Sequence, residues 1–123
     1  MASQLDGAGQ LKLATLDEAG LQLQRLHALV ERYAMAVRTQ SETGQFRQQL
    51  TRTATPLHGL LKPQFSVIAD VVSSFLLVAS RGGSEQTKVR GLRESVAQVR
   101  MQLDIAVTKV KEKHAIVAEK TEA

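Results

Sequence analysis

The chain contains no cysteine and no tryptophan. Without thiols there is no disulfide framework, no thiolate metal site and no cysteine nucleophile, and an intracellular protein is the simplest expectation. Aromatic residues make up only 3% of a chain that is 43% apolar. A core must therefore be built from Leu, Val and Ala, which favours helix against helix, because strand-rich domains draw more heavily on aromatic and Thr residues. Proline occurs twice, as Pro56 and Pro63, both in the middle of the chain. Long hydrophobic runs are missing as well. The most apolar stretch, Val67 to Ala79, is 13 residues long and contains Asp70, Ser73 and Ser74. A membrane span needs about 20 apolar residues, so none is expected. The polar start, Met1 to Gln10, carries no secretory-type signal and reads as a disordered lead over residues 1–10.

What is present is heptad spacing. At 123 residues one domain is expected, over residues 11–118, with a frayed C-terminus at 119–123. Leu16, Ala19, Leu23, Leu26, Val30, Tyr33 and Val37 fall at alternating steps of three and four. That is a seam on one long helix, expected from about Leu13 to Glu42 and closed by Gly44. A second segment from Gln45 carries Phe46, Leu50, Thr53, Leu57 and Leu60, interrupted by Pro56, Gly59 and Pro63. Because proline removes a backbone donor and clashes with the preceding turn, the spacing predicts a kink, or a break between about Thr55 and Lys62.

From Pro63 the pattern resumes with Phe65, Ile68, Val72, Phe75 and Ala79, and Val67, Val71, Leu76, Leu77 and Val78 fill the other faces. A helix apolar on most sides must be covered on most sides. Gly82 and Gly83 mark a turn, and Ser84 is placed to cap a last helix whose seam is Val89, Leu92, Val96, Val99, Leu103, Ala106 and Val110, fading towards Val117. The fold class is therefore all-α: an antiparallel bundle of three long helices with a kinked middle one, or a four-helix bundle if the prolines split it.

Candidate chemistry is sparse. His58, with Lys62 four positions on, invites comparison with histidine phosphotransfer bundles, but the lysine spacing is off by one and Pro63 follows at once. His27 and His114, with Met35 and Met101, suggest a haem or metal site only loosely, since Glu-x-x-His pairs do not occur. No carboxylate pair, phosphate loop or nucleophile elbow is recognisable, so the chain is read as non-enzymatic and without a cofactor. The formal charge is +4, and Thr43 to Ala69 holds Arg47, Arg52 and Lys62 with no acidic residue. This basic surface is a candidate for an acidic partner. Without interleaved aromatic residues, sequence-specific nucleic-acid binding is not expected.

The leading expectation is a scaffold subunit that binds partner proteins by helix packing, in a hetero-complex rather than a homo-oligomer. The candidate docking residues are Phe65, Ile68, Val72, Phe75, Leu76, Val99 and Leu103. Alternatives are a regulatory bundle using His58 and a self-associating coiled-coil or cytoskeletal adaptor. A short polar lead, a first helix with Leu13, Ala14, Thr15, Leu16, Asp17 and Glu18, an apolar third element, a glycine turn and a last helix with Val99, Met101, Leu103 and Ile105 resemble the subunit 11 family of the Mediator head module. The resemblance spans about Leu11 to Lys113 and departs at Pro56, Gly59 and Pro63. It implies a nuclear transcription-coactivator subunit whose helical bundle is shared with subunit 22; without it a cytoplasmic location is expected. Spectrin-like repeats fit the three-helix layout equally, but their typical tryptophans are missing.

Overall fold

Four helices account for nearly all of the computed structural model, which describes residues 5–114. They are α1 (Gly7–Arg38), α2 (Phe46–Leu61), α3 (Ser66–Ser80) and α4 (Glu85–Lys113). Expectations for Val117 and for residues 119–123 lie outside the described residues.

Each helix packs on two others, in the ring α1–α2–α3–α4, so α1 and α3 sit on one diagonal and α2 and α4 on the other. The four-helix alternative is thus the one adopted. The chain does divide in its middle, but at Lys62–Phe65 rather than between Thr55 and Lys62. Pro56 lies inside α2, solvent-exposed, and Pro63 falls in the turn. Pro56 leaves the Arg52 carbonyl without its helical amide partner, a loss that water can offset on an exposed face.

The first helix begins at Gly7, within the stretch expected to be disordered. The Gly9 amide donates to the Asp6 carboxylate at 2.7 Å, an N-cap ahead of the seam that the heptad count does not reveal. It ends at Arg38, before the expected closing glycine. Gln40 takes the left-handed conformation (φ 56°), the Gln40 amide donates to the Val37 carbonyl and the Ser41 amide to the Ala36 carbonyl. This is a Schellman closure with glutamine where glycine is usual. At the start of α4 the Ser84 hydroxyl accepts from the Thr87 amide at 3.4 Å. Gly83, at φ 102°, supplies the reversal before it.

The core is one continuous apolar cluster, and no polar or charged residue is buried among the described residues. Both long seams are in it, with Phe46, Leu50, Ala54, Leu57 and Leu61 from α2 and Ile68, Val72, Phe75 and Ala79 from α3. The helix lengths are unequal. α1 and α4 run about 48 and 44 Å, whereas α2 and α3 span only about 24 and 22 Å. The α2–α3 hairpin therefore covers the part of the α1–α4 pair nearest Tyr33 and Glu85, its turn end reaching Ile105 and Lys109 of α4, and the ends beyond it continue as a short two-helix stalk. In the stalk, Asp6 and Lys12 of the N-terminal end meet His114 of the C-terminal end.

Candidate interaction surfaces

The docking residues expected from the sequence are mostly spent on this chain's own interior. Ile68, Val72, Phe75, Val99 and Leu103 are buried, with Phe75 1% and Val72 0% exposed, while Phe65 and Leu76 are half-buried against the same core. The helical seams close within one chain, and only what the core leaves outside is open to another molecule.

What remains outside is specific. Val67 (67% exposed) and Leu77 (59%) project from α3 although its inner face is filled. Val67 lines a groove between α3 and α4 with Ile105, Gln102, Ala106 and Lys109. On the first helix, Leu21 and Met35 are each 51% exposed, and on the last, Met101 is 53% exposed.

The outer side of the α1–α4 seam carries the charged constellation of the molecule. Arg93 donates to Glu31 through Nε at 2.9 Å and through Nη2 at 2.8 Å, a bidentate pair. That hydrogen bonding, ahead of a smaller opposing effect of burial, holds the Glu31 carboxyl below its ordinary range and raises the Arg93 guanidinium. His27 lies beside the same carboxylate (3.8 Å) and 3.5 Å from Arg100. Along the seam, Asp17, Leu21, Arg100 and Asp104 line a groove towards the stalk, and Met35, Arg38, Arg90 and Glu94 line one towards the opposite end.

Tyr33 joins three elements. Its ring is buried and meets Phe46 with centroids 5.3 Å apart, and its hydroxyl donates to the Glu85 carboxylate at 3.1 Å. Burial first, and then the charge and hydrogen bond of Glu85, push this hydroxyl up to about 12.

At the end of the stalk the Asp6 amide donates to the His114 carbonyl at 3.1 Å, and its carboxylate lies 3.2 Å from His114 Nδ1. The Gly9 amide, with a smaller contribution from His114, holds the Asp6 carboxyl below the ordinary carboxylate range, against a weaker push upward from burial. Among the described residues, no three His, Asp or Glu side chains converge as a metal site would require. His58 is half-buried in the last turn of α2, which runs unbroken through it to Leu61.

The basic surface is not one patch. Arg47 and Arg52 are exposed and border the same shallow depression with Gly44, Gln48 and Thr51. Lys62 caps the other end of α2, about 15 Å further along at 1.5 Å per residue. No described helix is long and apolar enough to cross a membrane. Compared with protein families, with curated proteins and with solved structures, the chain matches none.

Proposed function

We propose that this chain is a non-enzymatic assembly subunit, a pre-formed four-helix module that holds partner proteins on the outside of its bundle. One observation carries the reading: α3 keeps Val67 and Leu77 largely in solvent on a helix whose inward face is already filled. Burying an aliphatic side chain of this size is worth about 1.5–3 kcal/mol, a gain the isolated chain forgoes at both positions. The groove shared by Val67, Ile105 and Lys109 suits an amphipathic helix of another protein, with an acidic residue at its edge facing Lys109.

The test uses Val67→Asp with Leu77→Asp. Both positions are exposed, so circular dichroism should report an unchanged fold. The unsubstituted chain should draw a stoichiometric protein from an extract of its own source cells, and the double variant should not. Equal recovery of the same proteins by both chains sinks the reading.

A narrower version follows from the resemblance to the Mediator head-module family: a nuclear coactivator subunit partnered by a subunit 22-type chain. Four helices already close a core within one chain, so that partner would add to the outside of this bundle rather than complete its inside. Co-expression of the two chains tests it. An equimolar complex supports the narrower version, and separate elution removes it.

A further inference from the structure

Arg81 differs from every other arginine of the described chain, because the others lie on helices and it lies between two. α3 ends at Ser80 and α4 begins at Glu85, so residues 81–84 carry the reversal by themselves, and all of them are exposed. The backbone is extended at Arg81 (φ −72°, ψ 149°) and again at Ser84 (φ −64°, ψ 126°), and Gly83 makes the left-handed turn between them. The Arg81 amide donates to the Val78 carbonyl at 3.2 Å, which anchors the loop at one end. The Ser84 hydroxyl, accepting from the Thr87 amide, anchors it at the other. The Arg81 side chain is not anchored. Among the described residues its guanidinium has no carboxylate within 4.0 Å and no hydrogen-bond acceptor.

Glycine follows it twice. Gly83 is required by its φ of 102°. Gly82 is not required by the fold: it is not at positive φ, and a Cβ added there would meet nothing within 4 Å. A glycine that its own chain does not need still leaves room for another surface to approach the backbone closely. On such a segment the guanidinium can reach the bottom of a narrow pocket while the pocket's mouth closes on bare main chain. On a helix the same reach is obstructed, since residues three and four positions away share the face.

The chain holds its own comparisons. Arg90 is also followed by glycine, but on α4, where a Cβ on Gly91 would lie 3.1 Å from Val78 Cγ1, so that glycine serves helix packing. Arg47 and Arg52 are exposed, yet Gln48 and Thr51 stand beside them on α2.

We infer that Arg81 is a methylation site, the substrate of a protein arginine methyltransferase that uses a sulfonium methyl donor. A terminal guanidinium nitrogen attacks the methyl carbon. The N–C bond forms as the S–C bond breaks, the donor leaves as a neutral thioether, and the proton shed by the nitrogen passes to a carboxylate of the methyltransferase. Methylation keeps the positive charge and replaces an N–H donor by an apolar group. Arg81 borders a shallow hollow with Val78, Thr87 and Lys88, so the change falls on the α3–α4 turn and leaves the core untouched. The site neither requires the assembly reading nor follows from it.

The test is methyl transfer to the whole folded chain. With a dimethylarginine-forming protein arginine methyltransferase and S-adenosylmethionine carrying a tritiated methyl group, label should appear on Arg81 alone, located by mass spectrometry of the peptides. Arg81→Lys should abolish uptake, and Arg90→Lys should leave it unchanged. Gly82→Val separates access from folding. Its side chain has open space in the fold, so circular dichroism should report an unchanged melt, while a branched group at the mouth of the pocket should slow transfer roughly tenfold or more. The chain recovered from its own source cells should carry methyl groups on Arg81. Absence of methylation in either setting, label on Arg47, Arg52 or Arg90 of the folded chain, or transfer indifferent to Gly82→Val overturns the inference.

Discussion

Gly9 packs against the side chain of His114 so closely that a Cβ on Gly9 would overlap the His114 Cβ and come within 3.2 Å of the Leu5 Cβ. The contact joins positions more than a hundred residues apart in sequence. It is reinforced by the Asp6 amide, which donates to the His114 carbonyl. In an open helix, Gly→Ala stabilises by about 0.4–1 kcal/mol. Here the sign should reverse. Gly9→Ala should cost roughly 1–3 kcal/mol by overpacking, read as a lower denaturant midpoint with faster amide exchange at the stalk. Because the overlapping atom is a Cβ, His114→Ala should not rescue it, whereas His114→Gly should.

Tyr33 makes stability depend on alkaline pH. In the folded chain its hydroxyl holds the proton to about 12, while an unfolded tyrosine releases it near 10. The raised value means that this contribution is complete below about pH 10 and is lost as pH rises through about 12. The total is on the order of 2–3 kcal/mol. The informative quantity is the difference between this chain and Tyr33→Phe, which removes this hydroxyl alone. Denaturant curves should be steeper in pH for the unsubstituted chain between 10 and 12. Parallel pH profiles would show that burial and the Glu85 contact together do not hold the proton.

Gln40 closes the first helix in a left-handed conformation that costs a non-glycine residue about 1–2 kcal/mol. Gln40→Gly removes that strain but gives the unfolded chain more freedom, so a net gain of about 0.5–1 kcal/mol is expected. Thermal melts resolve such a change. Gly44→Ala should not show a comparable penalty, because Gly44 is not among the residues at positive φ and nothing crowds its missing side chain.

The heptad positions made the helices legible, because a three-four alternation of Leu, Val and Ala has one helical interpretation at this length. Leu16, Leu23, Val30, Val89, Val96 and Val99 are all buried as the alternation requires. Ends were less legible because caps are local geometry. Asp6 caps through a carboxylate outside the periodic pattern, and Gln40 closes the first helix where composition pointed to Gly44. The docking face was misread for a different reason. Ile68, Val72 and Phe75 are apolar whether they meet this chain or another, and only the folded hairpin shows that α2 and α4 already cover them. The residues left exposed, Val67 and Leu77, were visible in the sequence only as surplus apolar positions on the same helix. Arg47 and Arg52 are neighbours on the surface, but Lys62 is separated from them by the helix length that the linear spacing conceals.

Pro56 tests why the break fell where it did. Two prolines, seven positions apart, were equivalent as helix breakers in the sequence, yet α2 continues through the first and stops before the second. Pro56 is solvent-exposed, whereas Leu57 and Leu61, one and five positions on, are completely buried. Burial of these two leucines favours continuing the helix by several kcal/mol, more than the roughly 3 kcal/mol that an interior proline costs. No buried residue follows Leu61 until Ile68, so nothing offsets Pro63 in the same way. Pro56→Ala should therefore restore the amide to the Arg52 carbonyl and stabilise the chain by about 1–3 kcal/mol, with some of the gain offset by a freer unfolded state. Leu57→Ala in the native background should cost about 2–5 kcal/mol. If Pro56→Ala instead lowers the melting temperature, the proline is shaping the packing of α2 and leucine burial is not what carries the helix through it.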